Sequence, residues 1–254
     1  MKNRILPFLR GVNKSITSED CIYIKKFLKE GGVTPLSART SYEDEIEFIA
    51  SVQRSVLRIA KAHKILPKDR NREPKDVYSA KGGACFDRSR VIEKIFRKTG
   101  FKTRHVFILY PTDKLKSFVD KRESIDSHAA TEVRTKKGWL FVDPNAPFRL
   151  LDKLKNPYSL ENPFPLENLH PVVLKETNEP RFKNRGCMKD ILEGPYIFLY
   201  GLYSRHGRFY PPFASPSRRI PDVNWTELFL YSKLKVLALL YYYWHSKKLG
   251  CSPV

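Results

Sequence analysis

Three stretches in the N-terminal part of the chain repeat apolar residues every three or four positions, the spacing that buries one face of a helix. Ser18 and Ser41 can cap the first two stretches, and Gly31-Gly32 and Gly100 end the first and the third. The predicted helices run from Glu19 to about Glu30, from Ser41 to about His63, and from Cys85 to Lys98. Their expected buried residues are Cys21, Ile24, Phe27 and Leu28; Ile46, Ile49, Val52, Val56, Ile59 and Ala60; and Val91, Ile92, Ile95 and Phe96.

The pattern changes after Gly100 to short apolar runs rich in strand-forming residues. A turn that ends at Gly138 joins two of these runs as a hairpin. The segment Pro67–Lys81, between the second and third helices, is polar and is predicted to be a loop. The predicted strands are Arg104–Tyr110, His128–Arg134, Trp139–Val142 and Tyr196–Tyr203. Helices come first and antiparallel strands follow, which indicates an α+β fold.

The C-terminal part, residues 151–254, is rich in proline, which prevents long regular elements. No Gly/Ser linker separates it, so we expect residues 1–150 to form the core and residues 151–254 an extension packed on that core. A last helix is predicted from about Asn224. Its apolar run Val236–Trp244 is too short to cross a bilayer. We expect this helix to be buried, with contact at a membrane surface as the alternative.

The net charge of the chain indicates which classes of partner to expect. The chain has 47 lysine and arginine residues against 27 acidic residues, a formal net charge of +20, which favours anionic partners. The basic residues are scattered, so specific nucleic-acid binding is not expected. The four cysteines form no zinc-ligand pattern and no acidic loop suits calcium, so neither a metal nor a cofactor is expected. The cysteine spacing and the lack of a signal-peptide pattern predict a cytoplasmic protein.

One cysteine stands where a nucleophile would be activated. Cys85 follows Gly82-Gly83-Ala84 and opens the third helix. Unpaired backbone N–H groups at a helix start favour a thiolate and can bind the oxyanion of a tetrahedral intermediate. The small residues before Cys85 are expected to leave room for a substrate carbonyl.

The predicted hairpin supplies a base and an acid for this thiol. His128 begins one strand and Asp143 follows the next. If the chain turns at residues 136–138, residue 128 faces residue 143 across the pair. A carboxylate beside imidazole fixes the tautomer of the ring and supports the imidazolium. The sequence therefore predicts a Cys85–His128–Asp143 triad.

These residues lie in motifs that resemble those of the transglutaminase-like superfamily. The motifs are GGACFDRS over 82–89, GFKTRHV over 100–106, HAATEV over 128–133 and GWLFVDP over 138–144. The resemblance covers about residues 45–147 and implies a papain-like fold with acyl-transfer chemistry on amides or esters. It implies that Cys85 is the nucleophile, His128 the base and Asp143 the orienting acid.

The function expected from this resemblance is hydrolysis of an amide bond in a peptide or protein through a Cys85 thioester. Two alternatives remain at this point. One is transfer of a glutamine acyl group to an amine, and the other is a basic binding module that retains the fold without activity.

Five further side chains are assigned from the sequence. Tyr78 and Gln53 are candidates for the oxyanion-hole side chain, and His206 is a candidate contact for an anionic substrate. His105 is expected to be structural because it alternates within a strand, and Trp139 is expected to pack in the core behind the histidine strand.

Overall fold

The structure is a computed structural model. It describes residues 15–37, 40–61, 66, 72–111, 125–145, 148–161, 170–173, 197–200, 203–205 and 208–210. Within these residues the helices are α1 (Ser18–Gly31), α2 (Tyr42–Ile59), α3 (Pro74–Ala80) and α4 (Cys85–Lys98). The strands are β1 (Thr103–Pro111), β2 (Ile125–Thr135), β3 (Gly138–Val142), β4 (Phe148–Leu151), β5 (His170–Val173), β6 (Ile197–Tyr200), β7 (Tyr203–Arg205) and β8 (Arg208–Tyr210).

The two N-terminal helices begin at capping boxes. Thr17, and not the predicted Ser18, caps α1: its hydroxyl accepts the N–H of Asp20 at 3.0 Å, and its own N–H donates to the Asp20 carboxylate at 2.8 Å. Ser41 caps α2 as predicted, through the N–H of Asp44 at 3.1 Å. The predicted end of this helix near His63 is wrong, because α2 ends at Ile59.

The loop predicted over Pro67–Lys81 is wrong for its second half, which forms α3. Pro74 stands at the first helical position, where its missing N–H costs no hydrogen bond. The N–H of Glu73 donates to the Asp76 carboxylate at 3.1 Å, and Lys81 ends the helix at φ 49°. The helix is short and buries only Pro74 and Val77, so it has no apolar stripe that sequence periodicity could detect.

Helix α4 packs against α2 and against the sheet, and its bounds are those predicted. Val91, Ile92, Ile95 and Phe96 have no measurable exposure and join the stripe of α2 in one core. Cys21 of α1, expected in this core, is only half-buried.

The main sheet is antiparallel, with the strand order β3-β2-β1-β6. A two-residue turn joins β2 to β3, so that Thr135 pairs with Gly138, whose φ of 137° suits glycine. Trp139 is half-buried rather than in the core, and the guanidinium of Arg104 lies 4.3 Å from its ring centroid. This α+β arrangement of helices and an antiparallel sheet is that of a papain-like core.

The C-terminal half contributes to the same sheet. Strand β6 pairs with β1, and Tyr200 of β6 donates its hydroxyl to Glu132 of β2 at 3.1 Å. The same buried carboxylate accepts the N–H of Leu160 at 2.8 Å. The boundary at residue 150 stays a prediction, and the predicted C-terminal helix lies outside the described residues. No helix in the described ranges is long and apolar enough to cross a membrane.

Candidate active site

Cys85 is the first residue of α4, and the contacts of Asp87 fix the backbone that leads into it. The Asp87 carboxylate accepts the N–H of Ala84 at 2.9 Å and that of the Arg72 guanidinium at 2.8 Å. A Cβ added at Gly83 would lie 2.9 Å from the Cβ of Asp87. The glycine two residues before Cys85 therefore makes room for the acidic residue two after it. The space at Gly83, which the sequence predicts to be room for a substrate carbonyl, is taken up by Asp87.

His128 and Asp143 come together at the open end of the β2–β3 hairpin. Nε2 of His128 lies 2.9 Å from Oδ1 of Asp143, and both side chains are buried. The predicted register is wrong by two positions: Thr131 pairs with Val142, so Asp143 is level with residue 130. The error lay in the predicted pairing itself, because a turn over residues 136–138 would pair residue 135 with residue 139 and bring Asp143 level with residue 131, only one position from where it lies. The carboxylate still meets the imidazole because a diagonal neighbour on the same face is within reach.

The third contact joins the imidazole to the thiol. Cys85 hydrogen-bonds to His128, and because Nε2 faces Asp143, the ring is left with Nδ1 for the sulfur. Burial would raise the pKa of Cys85, but the His128 hydrogen bond and charge, the Ala129 N–H and the Arg88 charge together lower it. Burial would lower the pKa of His128, yet Asp143 and then Cys85 raise it. The arrangement therefore favours a thiolate–imidazolium pair.

Two residues outside the triad hold Asp143 in place, one through its side chain and one through its backbone. Gln53 donates its side-chain N–H to the backbone carbonyl of Asp143 at 2.6 Å, and the backbone N–H of Asn145 donates to Oδ1 at 2.8 Å. The described contact of Gln53 therefore fixes the acid, and its predicted oxyanion role stays a prediction. In the sequence, Gln53 stands out as a polar residue within the apolar stripe of α2. In the structure its side chain is only 2% exposed.

Arg88 and Asn145 also belong to the site and were missed. Arg88 is buried three residues after Cys85 and donates from Nη2 to Oδ1 of Asn145. Nδ2 of Asn145 lies 3.5 Å from Nδ1 of His128. The spacing of Arg88 from Cys85 on one helix could have indicated the first residue, whereas nothing in the sequence pattern indicates the second.

The remaining candidates lie elsewhere. The Tyr78 hydroxyl donates to Glu30 at 2.6 Å, and its ring packs edge-on against Tyr23 and Phe27 of α1. Tyr78 makes no described contact with the triad, and its oxyanion role stays a prediction. His206 lies outside the described residues. His105 is buried and stacks on Tyr203 with ring centroids 4.2 Å apart.

Within the described ranges, no three or more His, Cys, Asp and Glu residues cluster so that they could hold a metal ion.

Comparison with known proteins identifies the class to which this geometry belongs. Residues 36–144 match the family model of the transglutaminase-like superfamily. This region of the chain is a transglutaminase-like domain. It spans both the helix that carries Cys85 and the hairpin that carries His128 and Asp143.

The other comparisons add little to this. A solved structure, "a Putative Cysteine Protease from Cytophaga hutchinsonii", is similar at 16% identity with a TM-score of 0.34. The match covers 68% of this chain and 47% of that one, so this chain spans about half the length of that protein. No curated protein matches the chain.

Proposed function

We propose that the protein is a cysteine hydrolase that cleaves an amide bond in a peptide or protein through a thioester at Cys85. The observation that carries the proposal is the position of His128 between the Cys85 thiol and the Asp143 carboxylate, with Nε2 2.9 Å from Oδ1. Nucleophile, base and orienting acid then stand in the order that thiol catalysis requires.

In the first half of the reaction, the Cys85 thiolate attacks the carbonyl carbon and the carbonyl oxygen becomes an oxyanion. The N–H groups of Cys85 and Phe86 can donate to this oxyanion, because residues in the first turn of a helix have no intrahelical acceptor. The C–N bond then breaks as His128 gives its Nδ1 proton to the leaving amine. A thioester and a neutral imidazole remain.

In the second half, water attacks the thioester and gives a proton to Nδ1 of His128. The C–S bond breaks, the acid product leaves, and the thiolate–imidazolium pair is restored. Asp143 keeps the proton on Nε2 throughout, so that Nδ1 is the nitrogen that exchanges protons.

The test is a panel of activated esters and peptide anilides, with product release followed optically and the quenched protein examined by peptide mass mapping. We expect an initial burst and an acyl group on Cys85, both of which Cys85→Ala abolishes. Acylation of the wild-type protein at other residues only, or no turnover over the whole panel, would contradict hydrolysis.

The same panel separates the alternatives. A fluorescent amine is added together with a glutamine-bearing protein. A transferase would attach the amine to that protein, whereas a hydrolase would not. Salt-sensitive binding to an anionic polymer that is equal in wild type and Cys85→Ala, with no acylation, would favour the binding module.

A further inference from the structure

Asn145 makes three contacts that connect Arg88, His128 and Asp143. Its Oδ1 accepts from Arg88, its Nδ2 lies 3.5 Å from Nδ1 of His128, and its backbone N–H donates to Asp143 at 2.8 Å. The second contact involves Nδ1, the nitrogen that exchanges protons in the proposed reaction.

The contact with Arg88 determines whether the oxygen or the nitrogen of the Asn145 amide faces the His128 ring. A guanidinium has only donors, so the amide must turn its oxygen towards Arg88 and its nitrogen towards His128. That nitrogen is itself only a donor, so it can pair with Nδ1 when Nδ1 carries a lone pair, and not when Nδ1 carries a proton. The contact therefore favours the neutral ring over the imidazolium.

The proposed reaction requires a contact that favours the neutral His128 ring over the imidazolium. Among the residues that the structure describes, the other charged or titratable groups that face His128 are Asp143, which follows β3, and Cys85 on α4, and both favour the imidazolium. An imidazolium held too firmly would be a poor acid for the leaving amine, and a thioester intermediate needs a neutral ring to accept the proton of water.

We propose that Asn145, oriented by Arg88, is a positioning residue that keeps Nδ1 of His128 able to release its proton. The inference rests on the proposed function for its purpose, but the physical effect exists without any substrate. Arg88 has a second effect from the same place, because its positive charge favours the Cys85 thiolate.

The test is an NMR titration of the His128 ring nitrogens in a Cys85→Ala background, which removes the thiolate. Asn145→Asp replaces the donor by an acceptor that binds the imidazolium. It should raise the pKa of His128 by about one pH unit or more. Arg88→Met frees the amide to present its oxygen and should also raise this pKa, whereas Arg88→Lys, which still has only donors, should leave it near the parent value.

A matched control is available in the exposed turn after β4. Asn156 binds Asp152 there, and Asn156→Asp makes the same substitution without facing His128. A His128 pKa that is the same in Asn145→Asp and Asn156→Asp, or that falls in Asn145→Asp, would overturn the inference. A protein that hydrolyses nothing would still give this titration, so failure of the proposed function and failure of the inference are separate results.

Discussion

Gly83 and Asp87 are in such close contact that a Cβ at position 83 would lie 2.9 Å from the Cβ of Asp87. The carboxylate cannot simply move aside, because Asp87 has no exposed surface and is fixed by Arg72 and by the N–H of Ala84. The two residues therefore set the path of the chain into Cys85 as one unit.

Gly83→Ala should consequently displace Asp87, the Ala84 N–H and the start of α4. We expect the rate of Cys85 alkylation at pH 7 to fall by about tenfold, since a displacement of about 1 Å at a site can cost a hundredfold in rate. The measurement is the second-order rate constant for a neutral alkylating agent, with peptide mapping to separate the cysteines.

Gly100→Ala is the matched control for this variant. Gly100 follows the other end of α4 at φ 93°, where a Cβ is strained but meets no atom within 4 Å. Its substitution should destabilise the fold by about 1 kcal/mol and leave the Cys85 rate unchanged. Equal rates in wild type and Gly83→Ala would contradict the coupling of Gly83 and Asp87.

The sequence predicts some parts of this site better than others, for physical reasons. Helix α4 has a periodic apolar face, an acidic first turn and a glycine stop that all agree, so its bounds are predicted correctly. The β2–β3 pairing is predicted, but its register is not, because one turn residue more or less shifts the strands and only packing decides between them. Asn145 and Arg88 meet across 57 residues of sequence, and no local pattern encodes such a contact.

His105 should make the stability of the protein depend on pH. Burial, and then the charge of Arg90, lower its pKa to about 3, and the Glu93 carboxylate 3.9 Å from Nδ1 does not offset them. The unfolded chain takes up this proton near pH 6.5 while the native protein does not, so the native state loses up to about 1.4 kcal/mol per pH unit as the pH falls from 6.5 towards 3.

Urea unfolding at pH 6.5 and pH 5 measures this loss. His105→Phe keeps a ring against Tyr203 but cannot titrate, so its free energy of unfolding should fall by about 1.5 kcal/mol less than that of wild type between the two pH values. The same pH dependence in both proteins would contradict the assignment.

Lys94 and Lys75 allow a comparison of a buried and an exposed ion pair. Lys94 is 2% exposed and bridges Asp20 at 2.7 Å and Glu73 at 2.6 Å. Lys75 pairs with Glu19 at 2.7 Å, but both side chains are about half exposed. Lys94→Met leaves the buried Asp20 carboxylate without its cation and should cost about 3–5 kcal/mol. Lys75→Met should cost far less, because solvent screens the exposed pair. Urea denaturation gives both values, and equal losses would contradict the role of burial.

The thiolate–imidazolium pair is the central claim, and peptide-mapped alkylation of Cys85 as a function of pH tests it most directly. Wild type, His128→Ala and Asp143→Asn are compared, with Cys21 as the internal reference on α1. We expect Cys85 of wild type to react rapidly below neutral pH, and to lose most of this reactivity when His128 is removed and part of it when Asp143 is neutralised. Identical pH profiles for Cys85 in wild type and His128→Ala would contradict the ion pair and, with it, the proposed hydrolase.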